Sequence, residues 1–499
     1  MYIENKMERL VQNSKRKKGA KLPDFRRYLY DRIDWSQRLI LILGHRGTGK
    51  TTLMLQYMQQ SQEKSIFLSL DDYLFEEVRL ITLVEQLYVE GTRTFFLDEV
   101  HRYQFWSTDL KQLFDGYAEA NFIVSGSSVL ALEKGKADLS RRAAVYHLEG
   151  LSFREFLSLE LGQTFPKFTL EEILTQHAAL AEPLADQLDI LSYFEQYLTY
   201  GYYPFYRESK NLYHQRLLEI TNLVLEIDLA PMEELSYKTV RSMKKLLFIL
   251  SESVPFIPNI SKLAERLEAS RNTVLRTFDL LEQAKLLLLL RYETHGVSFL
   301  QKPEKVYLQN PNLAYAFASQ TPNRGNLRET FFFNQLQVLH AVTLPKQGDF
   351  MLNQTYVLEI GGAHKGGQQL LGIPNAFIAA DNIKTGSGTK IPLWLFGFLY
   401  WELELSAWKS LTQILWKNSA DQRKSMIIRN PTNGSIGIAI HSIIQLTIAK
   451  KQPKGILGWG SVGLVFKKGY YFLRVPKVIL NAAPTTAGFC PVPEISCKG

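Results

Sequence analysis

Cysteine is nearly absent from this chain of 499 residues: there are two, Cys490 and Cys497, both among the last ten positions. That excludes a small disulfide-stapled secreted scaffold, and it suggests neither a cysteine-ligated metal site nor a thiol enzyme. Long apolar runs are missing as well. No run approaches the 18 or so residues a membrane-spanning helix needs, so no membrane partner is expected. Residues 1–20 are polar and lack the apolar stretch of a secretory leader, which fits a cytoplasmic address. Acidic residues are scarce in one place only. Residues 401–499 hold 13 Lys and Arg against Glu402, Glu404, Asp421 and Glu494, which accounts for the whole formal charge of +9. Residues 1–400 are therefore charge-neutral, and the basic balance describes the tail alone.

What is present is organised around 39–52, LILILGHRGTGKTT. A buried-strand run, Leu39 to Leu43, breaks at Gly44 and leads through a polar loop into a helical pattern. Gly44, Gly49, Lys50 and Thr51 satisfy G-x-x-x-x-G-K-[ST]. This spacing lets backbone N–H groups close around phosphates, with Lys50 as a point charge and the Thr51 hydroxyl as a Mg²⁺ ligand. The helix N-terminus adds positive potential. The cradle would comprise Gly44, His45, Arg46, Gly47, Thr48, Gly49, Lys50, Thr51 and Thr52.

A second buried strand (65–70, SIFLSL) and a helical stretch (74–89) precede 94–99, TFFLDE. A hydrophobic strand ending in Asp-Glu, about 50 residues after such a loop, is the complementary half of a nucleotide site. Asp98 would hold the Mg²⁺ shell and Glu99 would orient the attacking water. The strand NFIVSGSS (121–128) delivers Ser125 and Ser127 to the same sheet edge, as a γ-phosphate sensor or simply as a Ser/Gly turn. Arg141 and Arg142, before a fifth strand at 144–149, read as an arginine finger or phosphate sensor, or as ion-pair partners of Asp138 or Glu133.

The runs FLDEVHRYQFWSTDLKQLFDGY, SGSS and ADLSRRAAVYHLEGLSFREFL resemble prokaryotic AAA-type ATPases carrying a C-terminal domain of unknown function. The resemblance extends from about Phe25 to Tyr400. It implies a mainly parallel five-stranded sheet in the order 5-1-4-3-2 and ATP as the nucleotide. It leaves the physiological substrate open.

The expected architecture is α/β: an N-terminal basic arm (1–24), a P-loop NTPase domain (25–157), a helical lid (158–250), a winged helix-turn-helix (251–297), a smaller nuclease-like α/β domain (298–400) and a partly disordered basic tail (401–499). The arm's Lys15 to Lys18 read as a solvated terminus or a nucleic-acid contact. In the winged-helix reading, Ser270, Arg271, Asn272, Thr273 and Arg276 could reach DNA, although the neutral charge favours a protein-contact or lid role. In the nuclease-like reading, 304–309 is a strand and Glu329, Asp349 and Glu359 resemble a PD-(D/E)xK core in an αββαβ pattern. The lysine expected two places after Glu359 is Gly361, with Lys365 as the substitute. A degenerate, non-cutting domain is favoured. ATP-driven switching or motor action heads the functional expectations, with Arg141 or Arg142 completing the site within the chain or across the subunit interface of a homo-oligomer. A DNA-binding Mg²⁺ nuclease and a nucleotide-dependent scaffold without turnover are the alternatives.

Overall fold

The structure is a computed structural model, and it describes residues 2–126, 139, 141–252, 257–292 and 302–399, with three short strands at 463–467, 470–474 and 496–498. Residues up to Leu403 form one compact unit and those from Glu404 another.

Helix α1 spans Tyr2–Lys18. The nucleotide sheet follows: β1 Leu39–Leu43, helix α2 Lys50–Gln60, β2 Ser65–Ser69, α3 Leu80–Val89, β3 Thr94–Asp98, α4 Trp106–Gly116, β4 Asn121–Gly126 and β5 Ala144–His147. All pairings are parallel, in the order β2-β3-β4-β1-β5. This is the expected order read from the other edge, and it makes the domain an α/β P-loop fold. Strands β1 and β3 are buried at every position because helices cover both faces. Alternation then splits β1: Leu39, Leu41 and Leu43 pack with α3 and α4, while Ile40 and Ile42 face Leu53, Met54 and Met58 of α2.

The basic arm is not a free terminus. Helix α1 docks along edge strand β2, with Leu10 buried, Arg9 paired to Asp72 at 2.8 Å and Ser14 Oγ accepting the Phe67 N–H at 2.8 Å. An unpaired sheet edge exposes backbone donors, and this helix covers one of them.

Among the described residues a second large core spans Leu151 to Leu399, joining what the sequence divides into lid, helix-turn-helix and C-terminal domain. Its helices are α5 Phe153–Leu161, α6 Leu170–Gln187, α7 Ile190–Tyr200 and α8 Tyr213–Leu223, the last continuing into a π-helical turn, Val224–Leu229. Then come α9 Tyr237–Ser251, α10 Ile260–Arg266, α11 Arg271–Gln283 and strand β6 Leu287–Leu290. Strand β7, Lys305–Leu308, falls within the strand expected at 304–309 and pairs antiparallel with β6 rather than with the last sheet. Helices α12 Pro311–Phe317 and α13 Arg324–Leu336 lead to a sheet of β8 Val342–Thr343, β9 Phe350–Leu352, β10 Tyr356–Gly361, β11 Ala376–Ala380 and β12 Lys390–Pro392, ordered β12-β11-β10-β9-β8. The second helix of the expected αββαβ pattern is absent. Only a one-turn 3₁₀ segment, Gln368–Leu370, joins β10 to β11, because this connection is broken by four glycines and Pro374.

In the second unit, β13 Gly463–Lys467, β14 Tyr470–Arg474 and β15 Ser496–Lys498 form an antiparallel sheet. Partial disorder is the sequence expectation for the tail, and apart from these three strands the tail lies outside the described residues. Among the described residues no helix is long and apolar enough to cross a membrane.

Removing the Ser14 hydroxyl strands the Phe67 N–H beneath α1. Ser14→Ala should lower stability by about 1–2 kcal/mol in urea unfolding. An unchanged midpoint would show that α1 does not seal this edge.

Candidate functional site

β1 delivers the chain to Gly44, where any Cβ would overlap the Leu148 carbonyl oxygen as the loop passes the exit of β5. Gly49 sits at φ 95° as the N-cap of α2, a conformation that favours glycine. The loop closes on itself: Thr48 Oγ1 donates to the His45 carbonyl at 2.9 Å, and Lys50 Nζ donates to the Gly44 and His45 carbonyls, both at 2.8 Å. Lys50 is buried, and burial pushes its ammonium below the usual range while Glu99 and Asp98 pull it up. His45 is buried too. Desolvation lowers its pKa to about 4, so it is neutral at pH 7.

β3 delivers the acid pair to the same edge. Thr51 Oγ1 donates to Asp98 Oδ2 at 2.8 Å, joining the glycine loop to the acidic strand end. The Ser125 hydroxyl donates to Asp98 Oδ1 and accepts the Glu99 N–H at 3.3 Å. Burial raises the Asp98 pKa, and the hydrogen bonds from Ser125 and Thr51 oppose it. Glu99 adopts φ 54°, an uncommon backbone conformation for a non-glycine residue and one often found at functional sites. Its carboxylate lies 3.4 Å from Arg46 Nη2 and 3.6 Å from His101 Nε2. Thr52 follows on α2 and is half-buried.

The arginine pair is elsewhere in the chain. Ala144 pairs with Ile40, so Arg141 and Arg142 precede the start of β5, whereas Gly44 follows the end of β1. A five-residue strand separates these two edges of the sheet, roughly 16 Å. Arg142 grips Asp115 with two bonds of 2.8 Å at the far edge, and Arg141 is exposed. Neither completes the site of its own chain. Ser127, Glu133 and Asp138 lie outside the described residues.

Four residues that the sequence reading did not single out support the loop. Arg27 is buried beneath it and donates to the Thr48 carbonyl, to the Glu149 and Gly150 carbonyls at 2.8 Å, and to Glu155 Oε1 at 3.0 Å. Glu155 is also the N3 residue of the Ser152 capping box, and that S-x-x-E spacing was a readable signal. Asp228 and His101 reach in from the π-helical turn and from the segment after β3. Asp228 accepts from Arg46 Nε at 2.8 Å, and its Oδ1 lies 3.5 Å from His101 Nε2. The lid also packs on the loop through Phe205 and Pro204, which face Gly47 and Gly49. Tyr202, Tyr203 and Tyr206 of the same segment are buried core.

The second group of predicted residues separates into lysine-bound carboxylates. Glu329 accepts from Tyr307 Oη at 2.6 Å, and Lys305 Nζ lies 3.1 Å from Asp349 and 3.5 Å from Glu329. Glu359 is buried and pairs with Lys365 at 2.6 Å. A Cβ on Gly361 would fall 2.5 Å from Cβ and Cγ of Lys365, so the Lys365 stem occupies the space a side chain at 361 would enter. Among the described residues, no three His, Cys, Asp or Glu side chains are grouped to hold a metal ion. On α11, Ser270 caps the helix, Arg271, Asn272 and Thr273 are exposed, and Arg276 pairs with Glu233 at 3.3 Å.

Residues 36–157 match the model of the AAA domain, and residues 191–324 match a domain of unknown function (DUF8612). An uncharacterized protein of Methanocaldococcus jannaschii is 26% identical over 269 residues, 50% of this chain and 56% of that protein. The chain thus spans little more than half the length of this curated relative. Among solved structures, a mutant RuvB from Thermotoga maritima shares 14% identity over 57% of this chain and 90% of that one, at a TM-score of 0.23. AMPPCP-bound DnaA from Aquifex aeolicus shares 14% over 52% and 85%, at 0.21. At these scores the structural likeness carries no argument. The AAA match and the sheet order together support an AAA-type, nucleotide-binding ATPase domain over the first part of the chain.

Two outcomes follow from the buried groups. Arg27→Met leaves Glu155 charged and unpaired in the core and should cost about 3–5 kcal/mol in denaturant unfolding; a loss below about 1 kcal/mol would contradict the pairing. Asp228 is pushed up by burial but held at about 2 by hydrogen bonds from His101 and Arg46. Its contribution to stability is present above the unfolded carboxyl value near ~4 and fades as pH falls toward its folded value. Asp228→Asn should flatten the acid limb of the stability profile across that window.

Proposed function

We propose that the chain is a Mg²⁺-dependent ATPase acting as a molecular switch or motor, whose nucleotide state is passed through the lid to the helix-turn-helix and C-terminal elements. One observation carries this reading: the 2.8 Å hydrogen bond between Thr51 and Asp98, which joins the lysine loop to the acid pair at the carboxyl edge of a parallel sheet. Thr51 and Asp98 are oxygen donors suited to a hard cation, and they would hold Mg²⁺, which when bound neutralises charge on the phosphate oxygens. Lys50 and the loop amides bind the triphosphate. Glu99 accepts a hydrogen bond from water and aims its oxygen at the γ-phosphorus. The new P–O bond forms as the bond to the β-γ bridging oxygen breaks, its electron pair leaves with ADP, and the water proton passes to phosphate and solvent. Ser125 holds Asp98 and the Glu99 backbone in place. Arg141 and Arg142, remote within their own chain, could serve only a neighbouring copy in a homo-oligomer.

A second reading, in which α10, α11 and the β6–β7 ribbon act as a winged helix that docks DNA for Mg²⁺-dependent cutting, is supported by Lys365 reaching Glu359 in place of the missing lysine. It is weakened by Lys305, whose ammonium already bridges Asp349 and Glu329. A degenerate, non-cutting domain fits this geometry better.

Phosphate release, measured with and without DNA, tests the first reading. Lys50→Ala should lose ATP binding. Glu99→Gln should keep binding and lose turnover by about 10²-fold or more. Wild-type protein that binds ATP tightly without turnover would favour a nucleotide-dependent scaffold instead. Mg²⁺-dependent nicking abolished by Asp349→Ala would establish the second reading.

A further inference from the structure

Besides the packing of Phe205 and Pro204, the lid sends a carboxylate into the nucleotide site. Asp228 lies in the π-helical turn Val224–Leu229, inserted between the regular turns of α8 and a short helix at Ala230–Met232. Pro231 explains the widening. It has no N–H for the Ile227 carbonyl four residues back, and its ring would crowd that group, so the helix relaxes just before it. The result aims a side chain only 2% exposed at the glycine loop.

Its partner there is Arg46, gripped by a two-pronged bond: Nε to Oδ2 at 2.8 Å and Nη2 to Oδ1 at 3.1 Å. The same Nη2 lies 3.4 Å from Glu99 Oε2. His101, itself 2% exposed, sits between the two carboxylates, 3.5 Å from Asp228 and 3.6 Å from Glu99. Arg102 Nη1 is 4.0 Å from Asp228 Oδ1. A planar guanidinium held on one edge by a fixed carboxylate presents its remaining edge in a set direction.

We propose that Asp228 is a positioning residue for ATP hydrolysis: from the lid it holds the Arg46 guanidinium beside Glu99 and prevents it from folding fully onto that carboxylate. The inference rests on the ATPase reading. With Asp228 in place, Arg46 is shared between the two carboxylates. Without it, Arg46 can form its fork on Glu99 and withdraw the water-orienting group. Lid placement therefore governs the hydrolytic step through a single ion pair, and the arginine that acts within this chain is the one in the loop itself.

The test is steady-state phosphate release from ATP by the full chain, with fluorescent-ATP binding and thermal unfolding measured alongside. Asp228→Asn should lower kcat by roughly tenfold to a hundredfold with a smaller change in KM, since the Lys50 and backbone contacts to phosphate are kept. Arg46→Lys, which keeps the charge but cannot form the fork, should show the same split. The double variant should be no slower than the slower single, because both break one contact. If Asp228→Asn fails to fold, Arg46→Lys reads the same contact from the loop side, and an unchanged kcat there overturns the proposal. Losses that multiply in the double variant, or a KM that rises while kcat holds, also overturn it. Wild-type protein without turnover sensitive to Lys50→Ala would instead remove the ATPase reading, and this inference with it.

Discussion

Everything in the nucleotide domain converges on the Asp98 carboxylate, held from both sides by the hydroxyls of Thr51 and Ser125. That arrangement requires three parallel strands to end at one level. β3 brings the acid, β4 brings Ser125, and β1 leads through the glycine loop to the helix that carries Thr51. A slip of one residue in β3 would turn Asp98 to the opposite face and place Glu99 there instead. The burial of every residue in β1 and β3 on both faces is what holds this register. The site is thus a consequence of core packing rather than of the loop alone.

The loop is supported from below as well. Arg27 gathers the carbonyls of Thr48, Glu149 and Gly150 around one guanidinium and neutralises itself on Glu155. Glu155 belongs to the capping box that starts the lid. The phosphate loop, the exit of β5 and the first lid helix therefore share one buried charge pair. From above, Phe205 and Asp228 of the lid touch Gly47 and Arg46. The loop is thus held on both sides, and the core that begins at Leu151 and packs against it continues, among the described residues, to Leu399.

The nucleotide sheet was legible because its signals are local. The apolar runs at 39–43 and 94–98, each ended by a chemically loaded residue, reveal strand, direction and edge together. Whether the arginine pair can serve its own chain was not legible, because sequence proximity to a strand does not say which end of it a residue occupies, whereas the Ile40–Ala144 register does. Arg27 and Asp228 escaped because their partners lie far away in sequence; Asp228 is 182 residues from Arg46. In the last domain Glu329, Asp349, Glu359 and Lys365 stood out in the sequence, whereas Lys305 did not. Lys305 stands in a strand that belongs by hydrogen bonding to the β6 ribbon, yet its ammonium crosses to Asp349 and Glu329. No periodicity encodes that crossing.

The account stands on the triphosphate and its metal settling between the glycine loop and the Asp98–Glu99 strand end. Backbone hydrogen exchange of the full chain, with and without a non-hydrolysable ATP analogue and Mg²⁺, measures this directly. Protection concentrated on residues 44–52 and 97–100, with a smaller effect around 224–229, is the predicted result. An analogue that binds while leaving those amides unchanged and protects another surface would contradict it.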